Sequence, residues 1–218
     1  MKALGQLSRR VLATPAYWWA GMLLLLLISG LVWVSRTGPL PGASVIRQAE
    51  VLHQQAGLPV VSSVDLPHVW DDQSPRWTGE ARYRLAWPAE LEARVAAGQP
   101  LALLLPRVGA RYRVWLNGQE VADRYWSYPG FVDTSLIPQI VQLPRDWLKA
   151  DLRSNRLEIE VRGQPLRKSG LSPVHVGPPD VLNQRYSELM WWQVYATWMV
   201  AACSLMLGLM ALLLLSLI

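Results

Sequence analysis

Three stretches of the chain alternate apolar and polar residues with a period of two. Ala81, Tyr83 and Leu85 alternate with Arg82, Arg84 and Ala86, and Pro88 ends the run. Tyr112, Val114 and Leu116 alternate with Arg111, Arg113 and Trp115, and Leu157, Ile159 and Val161 with Arg156, Glu158, Glu160 and Arg162. Each is the pattern of a half-buried β-strand. Asn117-Gly118 closes the second run, the dipeptide suited to the two positive-φ positions of a type I′ turn, and Gln119 to Val121 starts back. Leu101 to Leu105 is continuously apolar at strand length, which predicts a central strand buried on both faces. Shorter strands are expected at 66–70, 140–143 and 170–177, with helical turns or loops at 90–98 and 145–149. Ser44 can cap a short helix with Ile46, Ala49, Leu52, His53 and Ala56 along one side and Gly57 as its stop. From Pro59 the chain reads as irregular until the edge strand ending at Trp70. Several short strands separated by turn signals predict an all-β sandwich.

Two apolar runs flank this body. Residues 16–34 carry no charge and are long enough to cross a hydrocarbon layer of about 30 Å. Trp18, Trp19 and Trp33 stand near the ends, where indole favours the interface. A signal peptide would have a shorter apolar region and a small-residue cleavage site, so an uncleaved anchor fits better. The second run, 189–218, follows a helix expected to begin near Asp180, and ends the sequence without a basic or polar tail. We therefore expect the N-terminal part of a longer protein: a tail over 1–15, a first span over 16–35, a spacer and short helix over 36–58, a sandwich over 59–180, and a second span over 189–218.

Charge changes the picture once it is localised. The formal net charge is +5, but Lys2, Arg9 and Arg10 precede the first apolar run and no acidic residue appears before Glu50. The rest of the chain is near-balanced, so the basic excess is a membrane-orientation signal that keeps the N-terminus in the cytoplasm, and nucleic-acid binding is unsupported. The single cysteine, Cys203, lies in the second apolar run, so the body has no disulfide framework and no cysteine metal site.

Leu66-Pro67-His68-Val69-Trp70, then Ala81 to Leu85, then Val114 to Gly118, then Asn155 to Val161 form an ordered series. The series resembles the galactose-binding-like jelly roll, the sugar-binding domain of β-galactosidase-type glycosidases. Continued through Gly170 to Pro178 and Tyr186 to Gln193, it is similar to bacterial seven-transmembrane receptors with diverse intracellular signalling modules. That resemblance implies a periplasmic jelly roll ahead of several inner-membrane helices, with an output such as a histidine kinase or diguanylate cyclase. The later helices and the output are absent from this sequence.

Candidate chemistry is sparse. Asp71, Asp72, Asp123 and Asp133 are acids in expected loops, and adjacent Asp71 and Asp72 diverge in extended chain, which does not suit a glycosidase pair. His53, His68 and His175 lack metal-site spacing, and no phosphate loop or nucleophile elbow appears. We expect no catalytic residues, no metal and no cofactor. The candidate ligand site is the aromatic loop with Arg124, Tyr125, Trp126 and Tyr128, joined by Trp77 and Arg82, since flat rings and a cation suit a sugar or a carboxylate. The competing expectation has Trp126 and Phe131 filling the core. Arg107, Arg111 and Arg113 are expected to pair across strands with Glu158 or Glu160. The expected partners are the membrane, a small-molecule or carbohydrate ligand or a periplasmic protein, and a possible homodimer. Three functions stand: a receptor's sensing region, a membrane-tethered carbohydrate-binding module, and a glycosidase's accessory domain.

Overall fold

The computed structural model describes residues 40–55, 58–70, 79–109, 111–130, 135–164 and 169–216, together with Trp18, Gly21, Met22, Leu25, Leu26, Ser29 and Gly30. The chain divides into two units, 1–39 and 40–218. In the first, the residues just named are helical and exposed. The rest of the span expected at 16–35 lies outside the described residues.

The second unit is mainly β. A six-stranded sheet runs in the order β3 (Leu58–Asp65), β2 (Gln48–Gln55), β5 (Glu80–Leu85), β10 (Leu157–Arg162), β7 (Arg111–Leu116), β8 (Gln119–Arg124). A four-stranded sheet runs β1 (Ser44–Ile46), β12 (Val174–Gly177), β6 (Leu101–Leu105), β9 (Gln139–Leu143). Every pairing is antiparallel. Tyr83 and Leu85 of β5, Val114 and Leu116 of β7 and Ile159 and Val161 of β10 share one core with Leu101, Leu103 and Leu105 of β6 and Val174 and Val176 of β12. This is a β-sandwich, and the alternating strands supply its inner faces as their sequences require.

Strand β6 is buried along its whole length, as its unbroken apolar run predicts. Its odd-numbered residues face the core. Ala102 and Leu104 meet helix α2 (Pro179–Met190; α1 is the short helix Glu92–Ala96) through Leu182, with Tyr186 and Leu189 beside them. Helix α2 passes through a π turn, Trp191–Tyr195, into α3 (Ala196–Ser216), so one continuous helix leaves the sandwich. Among the described residues, Pro179–Met210 is the one helix long and apolar enough to cross a membrane by length and composition.

The short helix expected from Ser44 to Gly57 is a correction: Ser44–Ile46 form β1 and Gln48–Gln55 form β2, while 56 and 57 lie outside the described residues. Ala49 and Val51 point into the core while Gln48, Glu50 and Leu52 point out, a period of two that pairing with β3 and β5 selects over the helical spacing. The segment from 59 is likewise strand β3, not irregular chain, and its β-branched run Val60-Val61 with Val64 carried that signal. The strands expected at 101–105, 140–143 and 170–177 and the turns expected at 90–98 and 145–149 fall close to where the patterning put them, whereas the strand expected at 66–70 is confined to His68–Val69.

Candidate functional site

Five of the quoted motifs act as latches. Tyr83 of β5 accepts a hydrogen bond from Trp70 Nε1 at 2.6 Å and contacts His68 Nδ1 at 2.9 Å, tying β4 (His68–Val69) to the sheet. Burial pushes the Tyr83 phenol well up, so it stays neutral as a donor and acceptor. β4 pairs with β11 (Gly170–Leu171), and Gly170, at φ 143, lies against the His68 carbonyl where no side chain fits. At the other end, Asn117 (φ 53) and Gly118 (φ 82) make the expected tight turn. The Asn117 amide donates to the Trp147 carbonyl (2.7 Å) and to Asn155 Oδ1 (2.8 Å), while its oxygen accepts from the Arg156 N–H (2.8 Å). Buried Asn155 in turn accepts from Lys149 N and donates to the Lys149 and Asp151 carbonyls.

The outer face of the six-stranded sheet carries a ladder of ion pairs. Glu160 accepts from Arg82 and lies 2.9 Å from Arg113, and Trp115 Nε1 donates to it at 3.0 Å. Burial would push the Glu160 carboxyl up, but the hydrogen bonds from Arg82 and Trp115 and the charges of Arg82 and Arg113 outweigh it, holding the carboxyl below its usual range. Glu158 accepts from Arg156 at 2.7 Å and lies within 3.8 Å of Arg82 and 3.5 Å of Arg84. Arg162 pairs with Glu80 at 2.6 Å. Glu80, Glu158 and Glu160 thus serve as acceptors for guanidinium groups across the sheet. The expected pairing of Arg113 with Glu160 is present. Arg111 instead donates to the Gly130 carbonyl, and the Arg107 backbone N–H donates to Ser172.

The sequence candidates do not gather in one place. Arg82 belongs to the ladder. Trp126 is buried, yet stands outside the shared core: the guanidinium groups of Arg113 and Arg162 lie 4.1 and 4.3 Å from its ring, and Arg162 donates to its carbonyl. Tyr125 and Tyr128 are half-exposed and meet edge to face at 6.1 Å. Exposed Arg124 hydrogen-bonds the buried Tyr112 phenol, which burial pushes up to about 12 against the pull of Arg124. Trp77, Phe131, Asp71, Asp72 and Asp133 lie outside the described residues. Among the described residues no cluster of histidine, cysteine and carboxylate groups could hold a metal ion.

Sequence reasoning did not single out a groove of about 720 Å³ beside the ladder, at the junction of β2, β5 and the turn before β10. Gln48, Glu50, Arg84, Trp87, Arg153 and Arg156 line it, with Ser63, Ser154 and Asn155. Trp87 donates its indole N–H to the Asn155 carbonyl at 2.9 Å. The volume lies within the range of small-molecule sites. Its walls come from four separated segments, and only the strand pairing brings them together.

No protein-family model matches the chain, and no curated protein matches it in sequence. Among solved structures, a β-glucuronidase from Ruminococcus gnavus is 14% identical with a TM-score of 0.43, over 64% of this chain and 29% of that one. A glycosyl hydrolase family 2 member from Bacteroides cellulosilyticus is 14% identical with a TM-score of 0.46, over 62% of this chain and 20% of that one. A β-galacturonidase from Eisenbergiella tayi is 15% identical with a TM-score of 0.44, over 62% and 24%. The likeness is loose, and the chain spans less than a third of each of those enzymes.

Proposed function

We propose that the chain is a membrane-tethered, non-catalytic carbohydrate-binding module whose ligand occupies the groove beside the ion-pair ladder. The observation that carries this reading is the division of roles between the two sheets. The outer face of the four-stranded sheet is covered by α2, which continues into the apolar helix α3. The outer face of the six-stranded sheet bears the groove, with an indole, amides, hydroxyls and guanidinium groups on its walls. That set of groups can stack on a sugar ring and hydrogen-bond its hydroxyls. The exposed pair Tyr125 and Tyr128, with Arg124, offers a further aromatic surface, and Trp77 and Arg82 complete the candidate residues. The basic N-terminal tail supports placement in a bacterial inner membrane, tail inward and sandwich outward.

The test uses the full chain in detergent micelles, titrated with neutral and acidic monosaccharides and disaccharides. A saturable rise in melting temperature is expected, because a ligand of the folded state alone stabilises it. An alkaline wash should leave the chain in isolated membranes. A flat response to every sugar, or release by the wash, overturns the reading.

A second reading, sensing with transmission to an output module such as a histidine kinase, is supported by the docking of α2. Leu182 is fully buried against β6, so the sandwich and the start of the apolar helix move together. A ligand shifts such a device only by binding two helix arrangements unequally.

A further inference from the structure

We infer that the groove takes an acidic saccharide, a sugar ring bearing a carboxylate; this rests on reading the groove as a carbohydrate site. Three guanidinium groups, Arg84, Arg153 and Arg156, line the groove against one carboxylate, Glu50. Glu158 lies beneath them, almost wholly buried, and is already claimed by Arg156 with Arg82 and Arg84 close by. Its role is to hold Arg84 and Arg156 in place. A guanidinium carries five N–H donors. Arg156 uses its Nε and one terminal nitrogen on Glu158, and Arg84 makes only long contacts of 3.5 Å to Glu50 and Glu158.

Arg153 is different. It is exposed, and among the described residues its guanidinium meets no carboxylate; the nearby Asp151 carboxylate accepts the Arg153 backbone N–H instead. The groove therefore has an excess of planar, charged donors, the arrangement that grips a carboxylate side-on. Trp87 supplies the other half of the recognition. Its N–H is committed to the Asn155 carbonyl and part of its side chain packs against the core, so what Trp87 contributes to the groove lining is apolar surface for a pyranose. Gln48, Ser63 and Ser154 stand on the same walls for ring hydroxyls. A simple anion would use the guanidinium groups alone, and a neutral sugar would leave them solvated; a uronic-acid-type sugar uses both.

The experiment titrates the full chain in detergent micelles with glucuronate, galacturonate, glucose, galactose and inorganic phosphate, following melting temperature and heat of binding. Each acidic sugar is expected to bind about tenfold tighter than its neutral counterpart, the scale of one hydrogen bond to a charged group. The preference should shrink in high salt, which screens exposed charges. Arg153→Gln should abolish most of the preference for acidic over neutral sugars, and its exposed position leaves the fold intact. Equal affinity for acidic and neutral sugars overturns the inference while the carbohydrate reading stands. So does an Arg153→Gln variant with the full acidic preference. Phosphate binding as tightly as glucuronate overturns it in favour of a plain anion site. No binding of any sugar removes both this inference and the carbohydrate reading.

Discussion

Asn117 uses both ends of its side-chain amide while its backbone sits in the left-handed region. Replacing it by alanine keeps the unfavourable backbone conformation and strands the Arg156 N–H and the Trp147 carbonyl. We expect Asn117→Ala to destabilise the fold by about 2–4 kcal/mol, read as a fall in melting temperature; an unchanged value would mean that the latch to Asn155 carries no weight. Trp126 belongs to another class. A core aromatic truncated to alanine costs about 3–5 kcal/mol, but Trp126 is held between two guanidinium groups at the sheet surface. Trp126→Ala should therefore cost less, about 1–3 kcal/mol from two cation–π contacts and partial packing, and an Arg162→Gln change should remove part of the same energy in a double-mutant cycle. The Asn-Gly turn was legible because two adjacent residues determine it. The setting of Trp126 was not, because Arg113 and Arg162 reach it from two strands whose neighbourhood no local pattern encodes.

Among the elements, the strongly alternating strands were readable and β2 was not. Ile46, Ala49, Leu52 and His53 read as a helical stripe, whereas the strand buries Ala49 and Val51 and exposes Leu52, and only the partners β3 and β5 decide between the two. The groove was hidden for the same reason, since β2 forms one of its walls. Helix α2 was expected, but its docking became visible only with β6, whose outer residues Ala102 and Leu104 had no assigned cover. Leu182→Ala should cost about 2–5 kcal/mol, as for a fully buried leucine, and loosen α2 from the sandwich; protection of the α2 amides in hydrogen exchange would report it. His175 of β12 lies in this region. Burial, then the charges of Arg185 and Arg47, lower its pKa from 6.5 to about 4, and among the described residues its Nδ1 has no hydrogen-bond partner. The unfolded chain therefore binds this proton between pH 6.5 and 4 while the folded chain does not, so acidification through that window destabilises the fold. His175→Gln should flatten the loss of melting temperature over that window. The lowered Glu160 pKa acts further down: its stabilisation is complete above 4.5 and fades as pH falls through the folded value.

At the scale of the whole chain, binding at the groove and position of the apolar helix are separately measurable. Cys203, the single thiol, is exposed on α3. An environment-sensitive fluorophore there should change its emission on sugar binding if the groove and the helix are coupled, and stay silent if the module is only a tether. The π turn between α2 and α3 gives the helix an angular setting as well as a length. A π turn packs one residue more than an α turn into a similar rotation, and each α-helical residue contributes about 100°. Were Trp191–Tyr195 to relax into α-helix with no change of sequence, α3 would swing through about 100° about its own axis while α2 stayed docked. Deleting Gln193, whose buried Oε1 has no hydrogen-bond partner among the described residues, would instead leave a regular helix in its present phase. The expected result is unchanged stability and a label at Cys203 that can no longer turn.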